Sequence, residues 1–238
     1  MCGRFDFHTP VNVIARRYFD LPDAGLADIA PCYNVPPGVG IAVACSDGAS
    51  GVRFSALKWG YHPSWAGEDA PTPINARAEK VAQSPFFREA FAHRRCLVPA
   101  NGWFEWQKTE QGKQPFYITC LDHTEEDALF FAAIMDDRPE PGVAILTEPA
   151  AAHLTHIHPR QPVVLDPACR YDWLDQRITE RAAIKSATRR FPVERLVYRP
   201  VSEEVNRPAN DYEGLLNATA FQTTQPAAGS SSGASADG

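Results

Sequence analysis

The chain has 238 residues, of which 44% are hydrophobic and 11% aromatic, which is enough for the core of one sizeable domain. No apolar run approaches the roughly 20 residues of a membrane span, and residues 1–10 lack the apolar stretch of a secretion signal, so we expect a cytoplasmic protein without a membrane partner. The formal net charge of −6 excludes a general attraction to nucleic acid, so DNA binding would need a local groove of Lys and Arg side chains.

The first predicted element is a helix that follows the capping pair Thr9-Pro10. Its apolar residues fall on one face: Val11, Ile14, Ala15 and Tyr18. Residues 20–40 are rich in Pro and Gly and predict a loop. Strands are predicted at residues 41–45 and 52–58, and a loop rich in aromatic side chains follows at 59–73.

Strands dominate the second half of the chain. A helix is predicted from Ser84-Pro85 to residue 93. Five strands follow, at residues 96–99, 103–108, 116–120, 129–135 and 143–146, with Gln111-Gly112 as the turn of a hairpin between the second and third. The last predicted elements are helices at 167–175 and 179–190 and a strand at 196–201. Strands joined by hairpins, with helices near the ends of the chain, indicate an α+β fold built on antiparallel sheet.

The C-terminal residues and the cysteines bound the domain and its chemistry. Residues 217–238 are poor in apolar side chains and rich in Gly, Ser and Ala, so we expect a disordered tail after a single domain at 2–216. The cysteines form no Cys-x-x-Cys pair, which argues against a zinc site and a disulfide framework: Cys2, Cys32, Cys45, Cys96, Cys120 and Cys169. We expect no metal and no cofactor.

Cys2 has chemistry that an internal cysteine lacks. Methionine aminopeptidase removes an initiator Met that precedes a small residue, so we expect the mature chain to begin at Cys2 with an amine and a thiol on adjacent carbons. An α-amine has a pKa of about 8, against about 10.4 for lysine, and is therefore partly neutral and nucleophilic at physiological pH. Such a pair attacks an aldehyde twice, nitrogen first and sulfur second, and closes a thiazolidine ring. The alternative is that Cys2 is only a buried residue near the N-terminus.

Two further segments place polar side chains inside stretches that otherwise look structural. In residues 74–79, Asn75, Arg77 and Glu79 alternate, so an extended backbone puts all three on one face. Glu105 lies between aromatic residues in a predicted strand. Each segment also has a structural interpretation, in which Arg77 pairs with Glu79 and Glu105 pairs with a surface lysine.

The third segment is a loop at residues 156–162, which holds two imidazoles and Arg160 before an apolar run. His158 has the residue type expected of a general acid or base near neutral pH, or it is a hydrogen-bonded loop residue. The aromatic residues at 59–65, including Trp65, bind a ligand or pack around the prolines beside them.

Six short motifs, taken together, resemble one family. They occur in this order: Cys2-Gly3-Arg4-Phe5, Tyr33-Asn34-Val35-Pro36-Pro37-Gly38, Trp59-Gly60, Ile74-Asn75-Ala76-Arg77-Ala78-Glu79, Gly102-Trp103-Phe104-Glu105-Trp106 and Ile157-His158-Pro159-Arg160. The chain resembles, over residues 2 to 210, the SRAP (SOS response-associated peptidase) family, whose bacterial and human members shield abasic sites in single-stranded DNA.

The resemblance implies a fold, a reaction and a catalytic set. The fold is a single domain of twisted, mostly antiparallel sheets in a barrel-like core with peripheral helices. The reaction is a thiazolidine crosslink between Cys2 and the aldehyde of an abasic site. In this interpretation Asn75 positions the opened sugar, Glu105 moves the proton of the amine, and His158 assists sugar ring opening and later proton transfers.

The resemblance also implies a DNA-binding surface. Arg4, Arg77 and Arg160 would bind phosphates, and Trp65 would stack on a base or wedge a duplex open. The other implied DNA-binding residues are Asn34, Pro37 and Trp106. The implied partner is single-stranded DNA that contains abasic sites, which would bring a cytoplasmic monomer to the nucleoid.

Two departures from the family affect these expectations. Relatives often carry two consecutive tryptophans where this chain has Ser64-Trp65-Ala66, so one stacking surface is missing. Relatives commonly carry Asp where this chain has Pro159, which leaves open what orients His158.

Three other functions fit parts of the sequence. An N-terminal-nucleophile amidotransferase would use the Cys2 thiol on glutamine, with an oxyanion hole at Asn101-Gly102. A cysteine peptidase acting on itself or on partners would use the same thiol. A non-catalytic single-strand binding module would keep its affinity without Cys2. Assays with glutamine, an intact oligonucleotide and an abasic oligonucleotide distinguish them.

Overall fold

The computed structural model describes residues 2–25, 29–48, 51–124 and 126–220. The strands of these residues are β1 (Phe5–Phe7), β2 (Cys32–Val35), β3 (Gly40–Ser46), β4 (Val52–Trp59), β5 (Asn75–Arg77), β6 (Arg95–Ala100), β7 (Gly102–Thr109), β8 (Gly112–Cys120), β9 (Leu129–Met135), β10 (Gly142–Pro149), β11 (Arg160–Pro162), β12 (Val164–Leu165) and β13 (Leu196–Pro200). The α-helices are α1 (Val11–Phe19), α2 (Arg88–His93), α3 (Arg170–Leu174) and α4 (Arg181–Ala187). Short 3₁₀ helices lie at Ala152–Leu154, Pro167–Cys169, Val193–Arg195, Glu203–Asn206 and Glu213–Leu216.

The strands form two sheets. A five-stranded sheet has the order β13-β8-β7-β1-β2, and an eight-stranded sheet has the order β11-β10-β4-β3-β6-β9-β12, with β5 added beside β10. Because β9 also pairs with β10, the strands β10, β4, β3, β6 and β9 close a ring. The ring is not a true barrel, since β10 meets β4 only through the parallel pairs Gly142–Lys58 and Val143–Trp59. The predicted α+β fold with mostly antiparallel sheets and peripheral helices is confirmed.

The two faces of the five-stranded sheet pack against different cores. Side chains alternate along β7, so Trp103 and Glu105 point to one face, and Phe104 and Trp106 point to the other. Trp103 belongs to the large core shared with the ring. Phe104 belongs to a smaller cluster with C-terminal residues such as Val205, and Trp106 packs against that cluster. The C-terminal residues therefore cover the outer face of this sheet.

A close contact between β7 and β8 depends on a glycine. A Cβ atom added at Gly102 would lie 2.5 Å from the carbonyl oxygen of Ile118 and 2.5 Å from the ring of Tyr117. Gly102 thus allows Tyr117 to cross over the backbone of the strand that carries Glu105.

Several predicted boundaries differ from the structure. Helix α1 begins without a side-chain cap, because its N-cap residue is Pro10, which has no side-chain acceptor. The hydroxyl of Thr9 accepts a hydrogen bond from Asn101 at 2.6 Å. The helix predicted from Ser84 is a turn until α2 begins at Arg88. The β7–β8 turn consists of residues 110 and 111, and Gly112, at φ 136°, is already the first residue of β8.

The predicted loop at 20–40 was wrong in part, because it contains β2, which pairs with β1. The strands β1, β11 and β12 were not predicted either. The later predicted helices are confirmed in shorter form, as a 3₁₀ turn followed by α3, and as α4.

The predicted C-terminal tail lies mostly outside the described residues, since the description ends at residue 220. At its start, the Thr219 N–H donates a hydrogen bond to the Pro200 carbonyl at 2.9 Å. Within the described ranges, no helix has the length and apolar character to cross a lipid bilayer.

Candidate active site

Cys2 lies just before β1, and its side chain is fully buried. The Asn75 side chain, at the start of β5, donates a hydrogen bond from Nδ2 to the Cys2 carbonyl oxygen at 2.8 Å. Burial, together with the negative charge of Glu105, raises the pKa of the Cys2 thiol well above its usual value. The thiol is therefore protonated at neutral pH and is a poor first nucleophile.

Glu105 is buried on the inner face of β7, with 2% of its surface exposed. Burial raises the pKa of its carboxyl group to about 7, because the charged form loses hydration. The carboxyl oxygen Oε2 lies 3.7 Å from Nδ1 of His158. A carboxyl group that titrates near neutral pH can both accept and release a proton under physiological conditions.

His158 lies in the turn that leads into β11. Its Nδ1 atom is 3.1 Å from the Arg160 backbone nitrogen and 3.0 Å from the Arg160 carbonyl oxygen, so the Arg160 backbone fixes the ring whichever nitrogen carries the proton. Burial lowers the pKa of His158, which makes the imidazole neutral at pH 7. The ring thus has a local support even though Pro159 replaces the Asp that relatives commonly carry.

These four side chains come from both sheets. Glu105 belongs to the five-stranded sheet and Cys2 leads into it, while Asn75 and His158 belong to the ring and its connections. The structure therefore brings the four predicted catalytic residues together where the two sheets meet. Their proposed chemical roles stay predictions.

Arg160 is held beside the site by an ion pair. Its guanidinium contacts both carboxylate oxygens of Glu79, with Nη2 at 3.0 Å from Oε2, and Nη2 also lies 3.1 Å from the hydroxyl oxygen of Thr147. The hydrogen bond from Arg160 lowers the pKa of Glu79. The structural interpretation that paired Glu79 with Arg77 was wrong, because Glu79 lies in the turn after β5 and faces Arg160 instead. Arg77 is exposed in β5 opposite Thr147.

Arg4 and Asn34 attach a C-terminal segment to the five-stranded sheet. Arg4 Nη1 donates to the Asn34 side-chain oxygen at 2.8 Å and to the Val205 carbonyl at 2.9 Å. Asn34 Nδ2 lies 2.8 Å from the Asn210 carbonyl oxygen and 3.2 Å from the carbonyl oxygens of Val205 and Arg207. Asn34 was predicted to bind DNA. It is fully buried, so its side chain is not accessible to a DNA strand. It instead supports Arg4.

We call residues 203–212 the C-terminal strap. Trp106 is half-buried and donates from its indole nitrogen to the Asn206 side-chain oxygen at 2.6 Å. The strap thus contacts three predicted DNA-binding residues, Arg4, Asn34 and Trp106. The sequence did not predict this role, although polar Asn206, Asn210 and Asp211 beside apolar Val205 are a signal for it.

The remaining predicted DNA-binding residues lie on loops. Pro37 is exposed in the turn between β2 and β3. Trp65 is 63% exposed on the loop between β4 and β5, and its ring packs edge-on against Phe86 with centroids 5.6 Å apart. Both side chains are accessible to a ligand, but neither belongs to the cluster around Cys2. Among the described residues, no three His, Cys, Asp or Glu side chains are grouped so that they could hold a metal ion.

Comparison with known proteins gives consistent matches. The family described as SOS response associated peptidase (SRAP) matches residues 1–208. The chain is 34% identical to "Abasic site processing protein YedK" of Escherichia coli K12, over 91% of this chain and 99% of that protein. It is 28% identical to "Abasic site processing protein HMCES" of Xenopus tropicalis, over 76% of this chain and 64% of that protein.

Solved structures agree with the fold. A crystal structure of a Bacteroides thetaiotaomicron protein superposes with a TM-score of 0.77 at 22% identity, covering 92% of this chain and all of the other. A phage-related protein of Bordetella bronchiseptica gives a TM-score of 0.69 at 29% identity, covering 85% of this chain and 95% of the other.

Proposed function

Because the chain belongs to the SOS response-associated peptidase family, we propose that it processes abasic sites in single-stranded DNA by a covalent bond through Cys2. The observation that carries this proposal is the convergence of Asn75, Glu105 and His158 on the one residue that can present both an amine and a thiol. The relatives named as abasic site processing proteins support the same substrate.

The proposed reaction balances without an oxidant or a metal. After removal of Met1, the amine of Cys2 adds to the aldehyde carbon of the open abasic sugar, and loss of one water gives an imine. The thiol then adds to the imine carbon, and its proton passes to the nitrogen. The thiazolidine ring that results contains new C–N and C–S bonds at the former aldehyde carbon. Ring closure is favoured because the thiol is already held beside the imine.

The environment of each group suits this order of events. A thiol whose pKa is raised stays protonated while the amine attacks, so the nitrogen reacts first. Glu105, with a pKa of about 7, can accept the proton of the amine and return it when water leaves. His158 is neutral and 3.7 Å from Glu105, so it can relay protons to the sugar. Asn75 holds the Cys2 carbonyl and so fixes the backbone that carries both nucleophiles.

The same environment disfavours the alternatives in which the thiol reacts first. An amidotransferase or a cysteine peptidase needs a thiolate, and burial beside Glu105 opposes its formation. We therefore expect no glutamine hydrolysis by the mature protein.

A denaturing gel tests the proposal. We expect a shifted band when the protein meets a single-stranded oligonucleotide with an abasic site, and no shift with the intact oligonucleotide or with one whose abasic aldehyde has been reduced to the alcohol. Cys2→Ser keeps the amine and replaces only the sulfur, so it should give at most an adduct that hydrolyses during denaturation. A stable adduct from Cys2→Ala or Cys2→Ser would refute the thiazolidine mechanism. Mass spectrometry of the intact protein should show loss of Met1, and light scattering should show a monomer.

A further inference from the structure

An aromatic surface lies beside Glu105 on the five-stranded sheet. Phe116 of β8 is the direct partner of Glu105 in the β7–β8 register. Directly opposed residues of antiparallel strands share one face, with Cβ atoms about 5 Å apart. The ring of Phe116 therefore forms the wall of the candidate site on the side of β8.

Two exposed rings extend this wall away from Cys2. The ring of Tyr198, on the edge strand β13, has its centroid 5.9 Å from that of Phe116 and 5.1 Å from that of His156. The His156 centroid is 6.5 Å from that of Phe116. Phe116 is buried, whereas Tyr198 is 41% exposed and His156 is also exposed. We call His156 and Tyr198, on their Phe116 base, the aromatic ledge.

Two independent observations place the ledge close to the reacting groups. Along the sheet, β13 is two strands from β7, which is about 10 Å. Along the chain, His156 is two residues before His158, which lies 3.7 Å from Glu105. A nucleotide whose sugar lies at Cys2 has neighbours in the strand that are within reach of the ledge.

We propose that the aromatic ledge binds the nucleobase of a nucleotide that flanks the abasic site. This inference rests on the proposed function, since it takes single-stranded DNA at Cys2 as its premise. An abasic nucleotide has no base, so any contact of the protein with a base must be made to a flanking nucleotide. Aromatic rings bind any base through its face, which suits a lesion that occurs in every sequence. The ledge therefore recognises a flanking base without reading its identity.

The test combines a protein variant with removal of one base. Oligonucleotides carry a central abasic site, with either normal bases on both sides or tetrahydrofuran in place of the 5′ or the 3′ neighbour. For Tyr198→Ala, we expect the oligonucleotide concentration at half-maximal crosslinking rate to rise about five-fold, the weak end of one base–aromatic stack, when both bases are present. When the base that contacts the ledge is missing, wild type and variant should agree within two-fold.

Matched variants separate stacking from folding. Tyr198→Phe keeps the ring and should behave as wild type, while His156→Ala should show a smaller loss with the same dependence on the base. Tyr171→Ala is the control, because Tyr171 is equally exposed at 41% and packs against Phe19 on another part of the fold. The proposal is overturned if Tyr198→Ala binds as wild type does, or if its loss is the same with and without each flanking base.

A second measurement tests the ledge independently of the covalent reaction. Fluorescence anisotropy with tetrahydrofuran at the central position measures binding without any aldehyde. If the wild-type protein forms no adduct with abasic DNA, the proposed function fails, and the anisotropy comparison still decides the ledge. Base-dependent loss in Tyr198→Ala supports it there, and base-independent loss or no loss refutes it.

Discussion

Burial raises the pKa of Glu105 and lowers the pKa of His158. The carboxyl group titrates at about 7 because its charged form is poorly hydrated, and the same cause lowers the pKa of the imidazole. Two titratable groups 3.7 Å apart, of which one titrates near neutral pH, are placed to pass a proton between them. Such pairs are common at catalytic sites, which is the electrostatic argument for a proton relay next to Cys2.

The raised pKa of Glu105 has a consequence for stability. In the unfolded chain its pKa is about 4.5, so between pH 4.5 and 7 the folded protein binds a proton that the unfolded chain has released. The free energy of unfolding should therefore fall as pH rises through this window, by on the order of 3 kcal/mol from this group. Glu105→Gln removes the buried charge, so it should be more stable than wild type at pH 8 and similar at pH 4.5. Urea denaturation of both proteins at several pH values measures the difference. The same pH dependence of the unfolding free energy in both proteins would contradict the prediction.

Glu105→Gln should at the same time slow the crosslink. The amide cannot accept the proton of the attacking amine, so we expect a lower rate at saturating abasic DNA with little change in half-saturation. In wild type the rate should rise with pH through about 7 as Glu105 ionises, and the variant should lose this step. A variant that crosslinks at the wild-type rate with the wild-type pH profile would exclude Glu105 from proton transfer.

His158 should matter most for reversal of the crosslink. Reopening the thiazolidine requires a proton on a leaving atom, and a positioned general acid typically contributes about 10²–10⁴-fold. We expect His158→Ala to release preformed crosslinked protein at least about ten-fold more slowly than wild type. Initial DNA binding should change little. Release is followed with excess abasic oligonucleotide as a trap between pH 5.5 and 8. His93→Ala is the control, since His93 is exposed at the end of α2 beside Glu89. Equal release by His158→Ala and wild type would reduce His158 to a structural loop residue.

At the scale of elements, the C-terminal strap determines the position of three side chains on or next to the five-stranded sheet: Arg4, Asn34 and Trp106. It covers Phe104 through Val205, accepts a hydrogen bond from Arg4, and accepts one from Trp106 through Asn206. These contacts join residues that are about 100 to 200 positions apart in the chain. The strap therefore orders a surface that includes Arg4, two residues from Cys2, without contributing a catalytic group.

Asn206→Ala should separate this positioning role from folding. Loss of the 2.6 Å bond leaves the Trp106 indole without its fixed acceptor, at a cost of about 1 kcal/mol in unfolding free energy. We expect weaker half-saturation by abasic DNA and an unchanged maximal crosslinking rate. Asn210→Ala is the matched control, since its side chain donates to the Glu204 carbonyl in the same strap. Equal effects of the two variants on half-saturation would mean that only strap stability matters.

Local sequence patterns predict some elements of the fold, and tertiary contacts determine the others. Strands with clear apolar patterns, such as β9, were predicted with correct limits because the pattern itself reports burial. The strands β1, β2 and β11 have three or four residues and exist because another strand pairs with them, which so short a pattern does not record. Their short length also explains why the loop prediction at 20–40 included β2.

The residues of the candidate site were predictable from the sequence, but some of their contacts were not. Cys2, Asn75, Glu105 and His158 were selected by residue type and by resemblance, and the fold brings them together. The partner of Glu79 was not predictable, since Arg160 lies 81 residues further along the chain and reaches it only through the β10–β11 pairing. The burial of Asn34 likewise depends on the C-terminal strap.

At the scale of the whole molecule, the site depends on how the two sheets pack. Cys2 and Glu105 lie on or next to one sheet, and Asn75 and His158 lie on or next to the other. Both sheets share the large hydrophobic core. The catalytic geometry is thus a property of the complete domain. DNA binding also depends on the charge of the complete domain. The net charge of −6 repels DNA, and local arginines oppose this repulsion.

The salt dependence of DNA binding tests this local grip. Each phosphate contact on single-stranded DNA contributes about 0.7 to the slope of log affinity against log salt, so Arg77→Ala and Arg160→Ala should each lower the slope by about that amount. Arg160→Ala should lose more affinity than Arg77→Ala, because it also leaves the Glu79 carboxylate without its cation beside the DNA. Arg177→Ala is the control, since Arg177 pairs with Asp175 and has an 86% exposed side chain. Fluorescence anisotropy with intact oligonucleotide measures all three. Unchanged affinity and slope in Arg77→Ala would withdraw its phosphate contact and place the DNA on another face of the domain.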